Sequence, residues 1–206
     1  MRVALIDYGA GNLRSIGRAL ETAGAQPSTV RIPSEEPFDA IVLPGVGAFG
    51  AAMARLEAAD LPAWIRRRAE MGTPLIGICL GMQLLYDRSE ESPGVEGLAL
   101  LGGTVKRLPP LGKVPHMGWN RLHLVRSSPA AAGLDPAAHV YFVHSYVVEP
   151  ADDRTVVATS SYGVEFPAIV AGAAVAGLQF HPEKSGAAGL SILRGVLSAL
   201  VPSGVR

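Results

Sequence analysis

Through the first half of the chain, short apolar runs alternate with longer amphipathic stretches. This is the pattern of strands joined by crossover helices on a parallel sheet. Residues 2–7 form the first apolar run. Residues 13–23 carry apolar side chains at helical spacing, at Leu13, Ile16, Leu20 and Ala23, with Gly24 as a stop signal. Residues 28–32 and 39–43 read as the next two strands, the second closed by Pro44. Residues 49–71 are helical with a break at Pro62. They lead into residues 74–78, a run too short for a lone helix and apolar enough to be a strand buried on both faces. A helix over residues 80–86 follows. Four strands with crossover helices predict an α/β fold on an open, doubly wound, mostly parallel sheet, whose ligands sit beyond the carboxyl ends of the strands. Residues 7–12, residues 45–50 and Cys79 all fall at such ends.

After Pro93 the pattern changes to short β-rich runs separated by Gly and Pro, at residues 103–108, 120–125, 140–148, 155–160 and 168–171. These predict antiparallel strands added to the same core. A last apolar run, residues 174–180, ends at His181, and residues 187–200 have helical spacing. With 206 residues and no linker-like or repeated segment, the chain is expected to form one domain over residues 1–206. Formal net charge is zero and the 18 Lys and Arg are scattered apart from Arg66-Arg67-Arg68, which argues against a nucleic-acid partner. Hydrophobic residues make up 49% of the chain, yet no apolar run approaches the ~20 residues of a membrane span, so the excess belongs to core or partner interface. One cysteine cannot form an internal disulfide, and the N-terminus enters a strand pattern without signal-peptide features; a cytoplasmic location is expected.

That cysteine sits in Gly77-Ile78-Cys79-Leu80-Gly81, where a strand pattern gives way to a helix pattern. The spacing of its glycines is that of the Gly-x-Ser-x-Gly nucleophile elbow, which lifts a reactive side chain above a sheet edge. A helix starting there aims unpaired N–H groups and the positive end of its dipole at the sulfur, which favours the thiolate. A thiolate attacking a carbonyl needs a base and a group to orient that base. His181-Pro182-Glu183 offers both: His181 follows a strand pattern, and Glu183 is placed to reach back to one ring nitrogen. The developing oxyanion needs N–H donors. One comes from Leu80, the residue after the nucleophile, and the glycine-flanked Pro44-Gly45-Val46-Gly47 turn is a candidate for the second. The six residues 45–50 also match G-x-G-x-x-G, but they follow the third strand instead of the first. The acid expected about 20 positions on is Glu70, inside a helical pattern. No dinucleotide cofactor is expected. The other histidines, 116, 123, 139 and 144, show no ligand spacing, so no metal is expected either. Residues 115–120 are compatible with a tight turn or with an exposed contact loop.

Several segments together resemble the class I glutamine amidotransferase family, and within it the glutaminase subunits of imidazole glycerol phosphate synthases. They are residues 6–13, 44–50, 77–85, 115–120, 141–146 and 178–185. The resemblance runs nearly end to end and implies a flavodoxin-like fold. By it, Cys79 attacks the carboxamide of L-glutamine, His181 transfers protons and Glu183 holds His181. The backbone of Val46 and Leu80 forms the oxyanion hole, and Gly47, Gln83, His144, Ser145 and Tyr146 hold the substrate. It further implies a separate (βα)8-barrel cyclase as partner, receiving ammonia through a tunnel, with Asn12, Arg18, Tyr141 and Lys184 at the interface. The glutaminase is expected to be weak until nucleotide binds that cyclase, and the residue 44–47 backbone, free to turn at its glycines, offers a physical basis. A cysteine peptidase or other thiol hydrolase on a similar sheet and an amidotransferase subunit of another pathway are the rival expectations.

Overall fold

A computed structural model describes residues 1–9, 11–131, 133–135 and 137–201; Ala10, within the first of the resembling segments, lies outside the described residues. Strand β1 (Arg2–Ile6) has alternate side chains on opposite faces of the sheet, Val3 and Leu5 on one and Ala4 and Ile6 on the other, and all four are buried. Helix α1 (Leu13–Thr22) is capped by Asn12, whose side chain accepts from the Ser15 N–H, and buries Ile16, Ala19 and Leu20 on the Leu5 side. Strand β2 (Gln26–Val30), strand β3 (Ala40–Gly45), helices α2 (Phe49–Ala58) and α3 (Leu61–Glu70), strand β4 (Leu75–Cys79) and the single turn α4 (Leu80–Gln83) follow. Helices α2 and α3 cover the face that carries Ala4 and Ile6, so the sheet is wound on both sides.

The second half contributes β5 (Arg88–Ser89), β6 (Gly103–Arg107), β7 (His116–Arg121), β8 (His123–Leu124), β9 (His139–His144), β10 (Tyr146–Pro150), β11 (Val156–Tyr162), β12 (Val164–Gly172), β13 (Val175–Leu178) and α5 (Gly186–Leu200). The main sheet has the order β2-β1-β3-β4-β13-β12-β11-β8. Its first five members, all parallel, have the flavodoxin-like order. Because β13 pairs in parallel with β4, Leu178 opposite Ile78, the residues that follow each strand emerge side by side. Helix α5 packs beside α1 on the same face.

Several sequence boundaries are corrected. Strand β2 begins at Gln26, earlier than expected, and includes Pro27; it is the edge of the sheet, where a missing N–H breaks no ladder. The 49–71 helix breaks before Pro62, at Ala59 and left-handed Asp60, because the proline fits the first turn of α3. The helix expected over residues 80–86 stops at Gln83, because the carbonyls of Leu84, Leu85 and Tyr86 accept from the backbone of residues 98–101 instead of continuing the helix. Residues 115–120 are not a turn: His116 onward is a strand, paired antiparallel with β9. The run 140–148 divides at Ser145 between two strands that serve different sheets. Among the described residues only β8, β11 and β12 add antiparallel strands to the main sheet; β10-β6-β5 and β7-β9 form separate small sheets. Among the described residues no helix is long and apolar enough to cross a membrane.

Candidate active site

Cys79 is the last residue of β4 and immediately precedes α4, with φ 55° and ψ −112°. A non-glycine residue there is strained, and the surrounding packing must hold it. Gly77 and Gly81 supply that packing. A Cβ on Gly81 would stand 1.8 Å from the Leu43 carbonyl oxygen, and one on Gly77 would stand 2.6 Å from the Gly81 carbonyl oxygen. The two glycines let the turn press against β3 and β4. Since α4 is one turn long, the dipole aimed at the sulfur is that of one turn.

The thiol is buried but lines a cavity of about 310 Å³. Its Sγ donates to the Val143 carbonyl at 3.8 Å and faces the amide nitrogen of Gln179 at 3.9 Å. His181 lines the same cavity. Its Nδ1 is 2.9 Å from Glu183 Oε1, and both side chains are almost wholly buried, at 3% and 2% exposure. The carboxylate accepts from Nδ1–H, which leaves Nε2 without a hydrogen-bond partner. Burial pulls the pKa of the ring down. The Cys79 sulfur and then Glu183 outweigh it, and the pKa rises to about 9. The arrangement suits a nucleophile beside a base whose other nitrogen a buried carboxylate holds.

The rest of the cavity comes from loops at the strand ends. Val46 and Gly47 follow β3, Leu80 and Gln83 belong to α4, and His144, Ser145 and Tyr146 span the break between β9 and β10. Gly47 has φ 96°, a backbone that favours glycine. Behind the wall, Gln83 Nε2 donates to the Tyr146 carbonyl at 2.9 Å and to Gln179 Oε1 at 3.1 Å. His144 Nδ1 also donates to Tyr146 O, at 3.0 Å, so its Nε2 is left to accept from His116 Nδ1, at 3.0 Å. Burial lowers the pKa of His144 to about 3 and lowers that of His116, so both rings are neutral near pH 7.

Residues 4–197 match the family model described as glutamine amidotransferase class-I. The imidazole glycerol phosphate synthase subunit HisH of Geobacillus kaustophilus is 52% identical over 93% of this chain and 93% of its own. The HisH of Methanothermobacter thermautotrophicus is 51% identical, covering 93% and 96%. The chain belongs to the HisH family of class I glutamine amidotransferases. Among solved structures, that of PurLQS from Thermotoga maritima superimposes with a TM-score of 0.77 at 23% identity, over 97% of this chain and 98% of that one, a likeness of fold.

In this amidotransferase all of the residues expected around the reaction come together. Cys79, His181, Val46, Gly47, Leu80, Gln83, His144, Ser145 and Tyr146 line one cavity, and Glu183 stands directly behind His181. Of the four residues expected at an interface, Lys184 lies over the Tyr141 ring, its Nζ 5.7 Å from the centroid. Arg18 lines a shallow depression with Glu183, and Asn12 caps the same helix. Sequence reasoning passed over Glu91, Pro115 and Val143, which line the cavity, and Gln179 behind it. Glu91 lies 42 positions from Phe49, whose N–H it accepts at the start of α2, so no local spacing could have signalled it. Gln179 precedes His181 by two positions, and strand alternation could have placed both on one side. Among the described residues no group of three or more His, Cys, Asp or Glu is placed to hold a metal ion.

Proposed function

We propose that this chain is the glutamine-hydrolysing subunit of an imidazole glycerol phosphate synthase and that Cys79, His181 and Glu183 carry the reaction. The observation that carries the proposal is the strained Cys79 turn in a cavity shared with a His181 ring that a buried Glu183 holds at 2.9 Å. The thiolate attacks the side-chain carboxamide carbon of glutamine, and the carbonyl electrons move onto oxygen. The N–H groups of Leu80 and Val46 receive that oxyanion. His181, protonated below about pH 9, gives its proton to the leaving nitrogen, and ammonia departs as the C–N bond breaks. Neutral His181 then takes a proton from water as its oxygen attacks the thioester; the C–S bond breaks, which releases glutamate and restores the thiolate beside the protonated ring.

The amide hydrogens of Gln83 are taken by Tyr146 O and Gln179, so only its Oε1 remains for a ligand, and Glu91 adds a carboxylate at the same wall. Two acceptors suit an α-ammonium group, while the Gly47 and residue 144–146 backbone faces the rest of the amino acid. The ammonia passes to a separate (βα)8-barrel cyclase bound over Asn12, Arg18, Tyr141 and Lys184. Turning of the residue 44–47 backbone at Gly47 couples the two sites.

The test is a glutamate-release assay on the chain co-purified with that cyclase, with and without nucleotide. Expected are release from glutamine, loss of it in Cys79→Ala, and stimulation by nucleotide. Hydrolysis of peptides or esters in preference to glutamine would assign the site to another thiol hydrolase, and equal rates for the isolated chain and the nucleotide-bound complex would remove the coupling.

A further inference from the structure

Gln179 is fully buried beside the nucleophile, and the steps above give it no part. Its orientation is forced by its neighbours. The Tyr146 carbonyl has no proton to give, so Gln83 must turn its amide nitrogen toward it, and that same nitrogen lies 3.1 Å from Gln179. Gln179 therefore presents Oε1 to Gln83 and its own NH2 group to Cys79 Sγ, at 3.9 Å. Its backbone N–H donates to Ala168 O at 2.9 Å, which fixes the origin of the side chain on the sheet.

The sulfur thus has two polar neighbours of opposite sense. The Val143 carbonyl, 3.8 Å away, accepts from the thiol and repels the thiolate. The Gln179 amide has nothing to accept from the thiol but donates to the thiolate, and a donor facing a charged acceptor is the stronger contact. We propose that Gln179 is a positioning residue for the nucleophile: its amide N–H holds Cys79 as the thiolate, and its carbonyl ties that sulfur to Gln83 on the substrate wall. The idea deepens the glutaminase reading and rests on it for turnover, but the ionisation of the sulfur can be measured without turnover.

Of the other titratable groups, His181 after β13 and Tyr8 after β1 interact with the sulfur, Glu183 stands behind His181, and His144 on β9 and Glu91 line the same cavity. A Gln179 substitution leaves all five in place. Two neutral variants separate the roles: Gln179→Asn keeps an amide but, one methylene shorter, withdraws the donor from the sulfur, whereas Gln179→Met removes donor and acceptor; neither adds a charge beside Cys79. The experiment follows the rate of Cys79 alkylation by iodoacetamide against pH in the full chain, by mass spectrometry. The midpoint is expected to move to higher pH by about one unit or more in both variants. In the complex, kcat should fall about tenfold below that midpoint and recover above it. Midpoints equal to that of the unmodified protein in both variants would overturn the proposal, and where Gln179→Met fails to fold, the neutral Gln179→Asn decides alone. A shifted midpoint in a chain that releases no glutamate supports the Gln179 role and overturns the glutaminase reading instead.

Discussion

Near neutral pH the His181 ring carries its proton, favoured first by the Cys79 sulfur and then by Glu183. Removing its charge in Glu183→Gln deletes one cause that raises the ring's pKa from its ordinary 6.5 to about 9. The alkaline limb of the kcat/KM profile is therefore expected to move to lower pH, with kcat reduced about 10²–10⁴-fold. An unchanged limb would show that Glu183 does not govern the base. The same shift links to stability: the folded ring binds its proton more tightly than the unfolded one, so this contribution is complete below pH 6.5 and is lost as pH rises toward 9. His144 has the opposite sign. Held at about 3, it contributes above pH 6.5 and loses its contribution as pH falls toward 3. Melting temperature against pH is expected to peak near 6.5 where these two histidines dominate, and His144→Gln should flatten the acid side alone. At this scale the site geometry was legible where it is local, as in Gly-x-Cys-x-Gly and His-x-Glu, and hidden where the partner is distant, as for Gln179 with Gln83 or His116 with His144.

Among the elements, the turn from β4 into α4 tolerates no added methyl. Gly81→Ala drives a Cβ into the Leu43 carbonyl and is expected to lower stability by about 3 kcal/mol or more in a denaturant melt, or to prevent folding. Gly17→Ala is the contrast. Inside α1 its Cβ meets only Leu5 Cδ2, at 3.9 Å, and the change should stabilise the chain by about 0.5–1 kcal/mol. Equal effects of the two substitutions would contradict the close-packing account of Gly81. The inner parallel strands β1, β3, β4 and β13 were legible because both faces are buried and their apolar runs stand out between helices. The added strands were less so. Burial alternates in β7 and β9, one run feeds two sheets through Ser145, and β7 carries Gly118 and Trp119 in a segment whose composition reads equally well as a turn. Pro27 and Pro62 misled in the same way: each is tolerated at an edge or a first turn, and only the tertiary position says which applies.

For the whole molecule, the parallel pairing of β13 with β4 is what unites the halves of the site, because it sets residues 179–183 beside Cys79 across a gap of 100 positions in sequence. Beyond them lies a surface where Tyr141 contacts both Lys184 and the exposed Trp119. An aromatic group left half in water beside a cation suits a partner's surface. Tyr141→Ala is expected to weaken association with the cyclase about tenfold or more in a titration, while the melting temperature of the isolated chain stays within a few degrees; unchanged affinity would place the interface elsewhere. Attack of the Cys79 sulfur on glutamine leaves a covalent intermediate on that residue. Its most direct test is to mix the complex with glutamine, quench in acid during turnover, and examine the peptide spanning Cys79 by mass spectrometry. A glutamyl group on that sulfur is expected, lost on mild base treatment and absent from His181→Ala. Steady glutamate release with no adduct on Cys79 at any quench time would contradict it.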